Sequence, residues 1–121
     1  MKNCGVLCFK RYFEMVGYDN PELLNKLAEK VEEKGLSIAS ILQVMNNDEL
    51  KVEAIKSNIL PTCFPLIVLD KRRNHYLLLL QADKVFIKIY DPNLGEVVLF
   101  KIFVRLLGWE YYLTLCYNNE D

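Results

Sequence analysis

The chain has 121 residues, the length of a single domain, and we expect one domain over residues 1–121. Its 15 Lys and Arg residues against 16 Asp and Glu residues give a net charge of −1. This balance argues against nucleic acid or anionic lipid as a partner, because both recruit clustered positive charge. No apolar stretch is long enough to span a bilayer and no apolar leader follows Met1. The sequence therefore predicts no membrane insertion and a cytoplasmic location.

The first predicted helix runs from Cys4 to Val16. Its apolar residues recur at helical spacing, and Gly17 is a typical helix stop. This prediction places Cys4 at a helix N-terminus.

Two further helices follow in the first half of the chain. Asn20 as N-cap and Pro21 at the first position begin the second helix, and Gly35 is its predicted end. Ser37 caps a third helix, which ends at the polar cluster 46–48. The apolar faces of both helices are predicted to be core.

From Lys51 onward the pattern changes to short runs rich in β-branched, aromatic and other apolar residues. These runs are predicted strands of an antiparallel sheet: Phe64 to Leu69, His75 to Gln81, Val85 to Tyr90, Val97 to Lys101, and Tyr111 to Tyr117. A short helix or turn is predicted over Ile102 to Gly108. Three helices packed on such a sheet form an α+β domain.

The four cysteines lack the regular loop spacing of a disulfide framework, so reduced thiols are predicted. Cys8, Cys63 and Cys116 are predicted to be small core residues. With a single histidine and no second cysteine pair, no metal site and no cofactor are predicted.

The candidate catalytic residues are Cys4, His75 and Asp91. His75 is the one histidine of the chain, and Asp91 begins a turn one strand later, so a hairpin would bring both to one end of the sheet. A helix N-terminus favours thiolate at Cys4, and a nearby imidazole would accept its proton. The backbone N–H of Cys4 would then face the oxyanion of an acyl-transfer intermediate.

Spacing by itself leaves structural alternatives open for each of these residues. Cys4 could be an unreactive N-terminal thiol, and His75 a strand-end residue with local hydrogen bonds. Asp91 could simply hold its turn by accepting from nearby backbone N–H groups.

Several sequence motifs resemble those of the bacteriocin-processing, C39-type cysteine peptidases, which cleave double-glycine leader peptides. Asn3-Cys4-Gly5-Val6-Leu7-Cys8 is similar to the D-C-G-x-x-C start of that family. Gly35-Leu36-Ser37 is similar to its G-x-S segment, and Leu60-Pro61 to Leu69 to its proline-containing strand. His75-Tyr76-Leu77-Leu78-Leu79 resembles its H-[FYW]-V-V-L pattern, and Asp91-Pro92-Asn93-Leu94-Gly95 its D-P-x-x-G pattern.

The resemblance implies a papain-like cysteine proteinase fold with Cys4, His75 and Asp91 as the triad. It also implies a peptide precursor as substrate, cut after Gly-Gly, and an ATP-driven peptide exporter as partner. The family's oxyanion-hole glutamine has no counterpart among residues 1–3, which leaves three alternatives open: a slower reaction, another donor such as Asn3, or loss of activity.

Two other functions remain open at this point. One is a weak or inactive peptide-binding module of the same family, which the missing glutamine favours. The other is acyl transfer by the same three residues. In all cases the sequence suggests a surface site, so Cys4 and His75 are expected to contribute little to the core.

Overall fold

Residues 3–118 are described by the computed structural model, and they form helices first and strands afterwards. The helices are α1 (Cys4–Val16), α2 (Pro21–Glu29) and α3 (Ile38–Met45). The strands are β1 (Leu50–Lys56), β2 (Leu66–Asp70), β3 (His75–Ala82), β4 (Phe86–Asp91), β5 (Gly95–Phe100) and β6 (Tyr111–Tyr117), with a 3₁₀-helix over Lys101–Leu107. The predicted α+β organisation is confirmed, while the predicted limits at residues 1 and 121 lie outside the described range.

Helix α1 has the predicted bounds because its apolar stripe and its C-terminal stop agree. Gly17 adopts a left-handed conformation (φ 72°), and its N–H donates to the carbonyl of Phe13. The buried face of α1 comprises Cys4, Gly5, Cys8, Phe9, Tyr12 and Phe13. One face of the helix therefore packs on the sheet, with Cys4 at its leading end.

Helix α2 begins as predicted but ends earlier. The Asn20 side chain accepts from the N–H of Leu23 at 3.1 Å, and Pro21 is the first helical residue. The helix stops at Glu29, six residues before the predicted end at Gly35. Gly35 instead closes a tight turn with Glu32, in which the two residues exchange backbone hydrogen bonds of 2.9 Å. Its φ of 103° serves that turn.

The six strands form one sheet in the order β1-β6-β2-β3-β4-β5, with each neighbouring pair antiparallel. The predicted strands are confirmed with small shifts at their ends. Strand β1 was not predicted, because charged residues and exposed positions interrupt its apolar pattern. It pairs with β6 over seven residues, so backbone pairing decides its conformation.

The core lies on both faces of the sheet. The helices cover one face, where Phe9, Leu27 and Leu78 are buried. On the opposite face, Trp109 and Tyr112 pack with those buried residues of β2 to β4 that face away from the helices. None of the helices within residues 3–118 has the length and apolar character needed to cross a membrane.

The cysteines only partly follow their predicted places. All four are free thiols, as predicted, and Cys8 is fully buried. Cys63 and Cys116 are exposed, so the prediction that they belong to the core is wrong. The reason is positional, since Cys63 lies in the loop before β2 and Cys116 on an outward position near the end of β6.

Candidate active site

The site begins at the first residue of α1. Asn3 is the N-cap, and its carbonyl accepts the first helical hydrogen bond from Leu7 at 3.0 Å. The Sγ atom of Cys4 lies 3.3 Å from the backbone nitrogen of Tyr76, which donates to it. Tyr76 directly follows His75 on β3, so residues 72 positions apart in the chain meet here.

Close packing after Cys4 explains the glycine that follows it. A Cβ atom at Gly5 would lie 3.0 Å from Leu36 Cδ2 and 3.2 Å from the ring of Tyr76. The Tyr76 hydroxyl donates to the carbonyl of Leu36 at 2.7 Å, so these three residues form one contact. Gly5 therefore lets the first turn of α1 approach β3. Tyr76 is a further residue of the site, and the sequence indicated it only as the aromatic residue after His75 in the H-[FYW]-V-V-L pattern.

His75 and Asp91 are brought together by the predicted hairpin of β3 and β4. The register pairs Leu78 with Tyr90, and a bulge follows between Leu79 and Gln81. At the open end, His75 Nε2 lies 3.0 Å from Asp91 Oδ1. The prediction that these side chains share one end of the sheet is confirmed.

Asp91 also keeps the structural role that its position suggested. Its Oδ1 atom accepts from the backbone N–H of Asn93 at 2.8 Å, which holds the turn after β4. The same oxygen therefore receives the turn N–H and faces the imidazole. A carboxylate anchored by its own turn has little freedom to move away from His75.

The site is more buried than predicted. Cys4 is 3% exposed and His75 is 8% exposed, and Cys4 belongs to the core that α1 forms with the sheet. The expectation that Cys4 contributes little to the core is therefore wrong. The physical reason is that Cys4 lies on the same buried face of α1 as Cys8 and Phe9.

Burial raises the pKa of two groups beside Cys4, the Cys8 thiol and the Tyr76 phenol. Burial raises the pKa of Cys8 well above its ordinary value, and the charges of Cys4 and Asp91 raise it further. Burial likewise raises the pKa of the Tyr76 phenol, with smaller contributions from Cys4 and Cys8. Cys8 therefore stays a neutral thiol near pH 7.

The charged loop of residues 71–74, directly before His75, is exposed, but it is also tied to its surroundings. Arg72 Nη1 donates to the carbonyl of Leu106 at 3.4 Å, and Lys71 Nζ lies 4.6 Å from the ring centre of Tyr111. Asp70, which the sequence analysis did not single out, is buried directly opposite His75 in the β2–β3 register. The hydrogen bond of the imidazole goes to Asp91 instead.

Within residues 3–118, no three His, Cys, Asp or Glu side chains are grouped so that they could hold a metal ion. The groups at the candidate site are the thiol of Cys4, the imidazole of His75, the carboxylate of Asp91 and the backbone N–H of Tyr76.

Comparisons with known proteins point to one family. A family model described as the peptidase C39 family matches residues 1–102. Among curated proteins, none matches the chain.

Solved structures with the same fold include a double glycine motif protease from an AMS/PCAT transporter, in complex with its leader peptide. Its TM-score is 0.76 at 18% identity, covering 93% of this chain and 82% of that one. The peptidase domain of Streptococcus ComA, a bifunctional ABC transporter of a quorum-sensing pathway, gives 0.74 at 18% identity, covering 98% and 93%. The N-terminal peptidase C39-like domain of a toxin secretion ATP-binding protein from Vibrio parahaemolyticus gives 0.68 at 11% identity, covering 93% of each chain. At these identities the likeness establishes the fold, as predicted.

Proposed function

The chain belongs to the peptidase C39 family, and from that premise we propose that it is a cysteine peptidase that removes the leader of a peptide precursor after Gly-Gly. Cys4, His75 and Asp91 are its proposed catalytic residues. The observation that carries the proposal is their convergence: Cys4 Sγ contacts the residue next to His75, and His75 Nε2 lies 3.0 Å from Asp91.

The geometry suggests which imidazole atom reacts. If Nε2–H donates to the Asp91 carboxylate, the neutral ring carries its lone pair on Nδ1. Nδ1 then takes the Cys4 proton, and the thiolate attacks the carbonyl carbon of the scissile peptide bond. The imidazolium returns that proton to the leaving amine as the C–N bond breaks. Water, deprotonated by His75, then hydrolyses the Cys4 thioester and releases the leader.

Two features of the structure suit Cys4 to the role of nucleophile. The residue begins α1, where the helix dipole favours negative charge, and the N–H of Tyr76 points at its sulfur. Cys8, one turn further on, remains neutral because it is buried. The pair therefore presents a single nucleophile.

For the oxyanion hole we propose the backbone N–H of Cys4 together with the Asn3 side-chain amide. The first N–H groups of a helix have no partner within the helix, which leaves that of Cys4 for a substrate oxygen. Asn3 precedes the nucleophile, and its side chain makes no capping hydrogen bond to α1. A cap would use the Oδ1 acceptor in any case, so the Nδ2 donor is available to a substrate oxygen.

Replacement of Asn3 by Asp tests this assignment, because Asp keeps the shape but removes the donor. We expect kcat to fall by about 10²-fold with little change in KM, the usual cost of one oxyanion donor. Asn3→Ala should give a similar loss. Unchanged steady-state kinetics in both variants would contradict the role of Asn3.

The burial of the site supports glycine at the scissile bond. With Cys4 3% and His75 8% exposed, a substrate backbone must come close to the surrounding residues to reach the sulfur. Residues without side chains meet the least steric resistance there. One of the similar structures is a double glycine motif protease bound to a leader peptide.

The similar structures also suggest a partner. Two others are domains of an ABC transporter and of a toxin secretion ATP-binding protein. We therefore propose that this chain works beside an ATP-driven peptide exporter, at the cytoplasmic face of the membrane.

A synthetic precursor with a Gly-Gly junction tests the function directly. Mass spectrometry should show a cut after the second glycine, and replacing either glycine by alanine should lower kcat/KM by about 10- to 200-fold, the usual value of one methyl group in a tight site. Equal cleavage of the alanine peptides would contradict the specificity. Binding without cleavage would favour a peptide-binding module, and trapping of an added amine would indicate acyl transfer.

A further inference from the structure

A cluster of charged and aromatic side chains joins α1 to the β4–β5 hairpin. Arg11 Nη2 lies 2.7 Å from Glu96 Oε2, and Lys88 Nζ lies 3.0 Å from Glu96 Oε1. The guanidinium of Arg11 also stands over the ring of Tyr90, 5.5 Å from its centre. We call these four residues, Arg11, Lys88, Tyr90 and Glu96, the α1–hairpin clamp.

The clamp connects the elements that carry Cys4 and Asp91. Arg11 follows Cys4 by seven residues, two helical turns, so both lie on the same side of α1. Tyr90 immediately precedes Asp91 on β4. Glu96 is the register partner of Tyr90, and its neighbour Gly95 is the partner of Asp91. The clamp thus acts one residue away from the carboxylate that faces His75.

Besides the clamp, the hairpin is linked to α1 through β3 and through Tyr90, which packs against the core that α1 forms with the sheet. Helix α1 packs chiefly on β3, and β5 is an edge strand that pairs with β4 alone. The clamp therefore adds a direct link between α1 and the Asp91 end of β4 to the indirect link that β3 provides.

The clamp is better suited to holding the hairpin in position than to raising the free energy of unfolding. Arg11 and Glu96 are each 37% exposed, and a surface ion pair of this kind contributes little to stability. Glu96, however, receives two cations on its two oxygens, and Arg11 Nε is shut off from solvent. The hydrogen bond from Lys88, and secondly that from Arg11, lower the pKa of Glu96, so the carboxylate stays charged at neutral pH.

We propose that Arg11 is a positioning residue: through Glu96 it holds the Asp91 end of β4 against α1 and so keeps His75 oriented towards Cys4. This inference deepens the proposed function and rests on it. A catalytic group displaced by about 1 Å can cost about 10²-fold in rate, so a modest loosening of the hairpin should be measurable.

Because His75 is the one histidine of the chain, ¹⁵N-histidine NMR reports on it alone. The downfield signal of the imidazole N–H bonded to Asp91 is measured together with kcat and KM. We expect Arg11→Ala to broaden or abolish the signal and to lower kcat about tenfold, with KM changed less than twofold. Arg11→Lys should restore part of both, and Asp91→Ala is the reference for complete loss of the signal.

Lys10→Ala is the matched control, since Lys10 is an exposed cation on the same helix. It should leave the signal and kcat at wild-type values. If Arg11→Ala fails to fold, Glu96→Gln weakens the clamp from the hairpin side and should show the same loss.

An Arg11→Ala protein with wild-type signal and kcat would overturn the proposal, and so would equal losses in Lys10→Ala. A wild-type protein that gives the signal but cleaves no precursor would refute the proposed peptidase function. In that case, the effect of Arg11→Ala on the NMR signal would still test the positioning role of Arg11.

Discussion

Replacing Cys4 by Ala is expected to abolish precursor cleavage, with kcat/KM falling by at least about 10³-fold. The substitution removes the sulfur that forms the proposed thioester, while His75, Asp91 and the backbone N–H groups of the site remain. Cleavage is followed by mass spectrometry at substrate concentrations below KM.

Stability must be measured beside activity, because Cys4 is buried and its sulfur accepts from the Tyr76 N–H. Loss of that acceptor and of the buried sulfur should lower the free energy of unfolding by about 1–3 kcal/mol. Cys8→Ala is the matched control, since Cys8 lies on the same buried face of α1. It should lose a comparable part of its stability to cavity formation and still cleave the precursor. If Cys8→Ala also loses cleavage while remaining folded, the assignment of Cys4 as the nucleophile loses its support.

His75→Ala is expected to lower kcat/KM by a similar factor, at least about 10³-fold, because the substitution removes the imidazole that takes the Cys4 proton. The same variant should change the chemistry of Cys4 even without substrate. In the wild type, iodoacetamide should label Cys4 already at pH 6 to 7, and in His75→Ala the rate of this labelling should fall at least about tenfold. Mass spectrometry of the labelled peptides measures the rate at each cysteine.

The other thiols supply internal references for this experiment. Cys63 and Cys116 are exposed and should label alike in both proteins, whereas Cys8 should stay unlabelled because burial raises its pKa. The burial of Cys4 slows access of the reagent in both proteins alike, so the ratio of the two labelling rates reports the effect of His75. Cys4 labelling that follows the pH dependence of Cys63 and ignores His75 would favour a non-catalytic peptide-binding module.

Local sequence signals predicted the helices and most of the strands correctly. α1 and α3 have the predicted bounds, because each start and stop depends on neighbouring residues, such as Gly17 behind α1 and Ser37 ahead of α3. The end of α2 was misplaced because Gly35 can either stop a helix or close a turn, and only its pairing with Glu32 decides between them. β1 was missed because its conformation comes from pairing with β6, which lies some 60 residues away.

The residues of the candidate site could also be predicted from the sequence, because their signals come from neighbouring residues. The order of short motifs around Cys4, His75 and Asp91 is a linear property, and it was enough to predict the family, which the match over residues 1–102 confirms. The hairpin that joins His75 to Asp91 is also local, since a single turn connects its strands. The catalytic roles of the three residues remain predictions that the experiments above test.

Only the tertiary structure decided the contacts between distant parts of the chain. The burial of Cys4, its hydrogen bond from Tyr76, and the ion pair of Arg11 with Glu96 across 85 residues all depend on how α1 lies on the sheet. Helix caps, turns and apolar periodicity are properties of neighbouring residues, so the sequence by itself determines them. The packing of a helix on a sheet sums many weak contacts between remote residues, and these become fixed only in the folded chain.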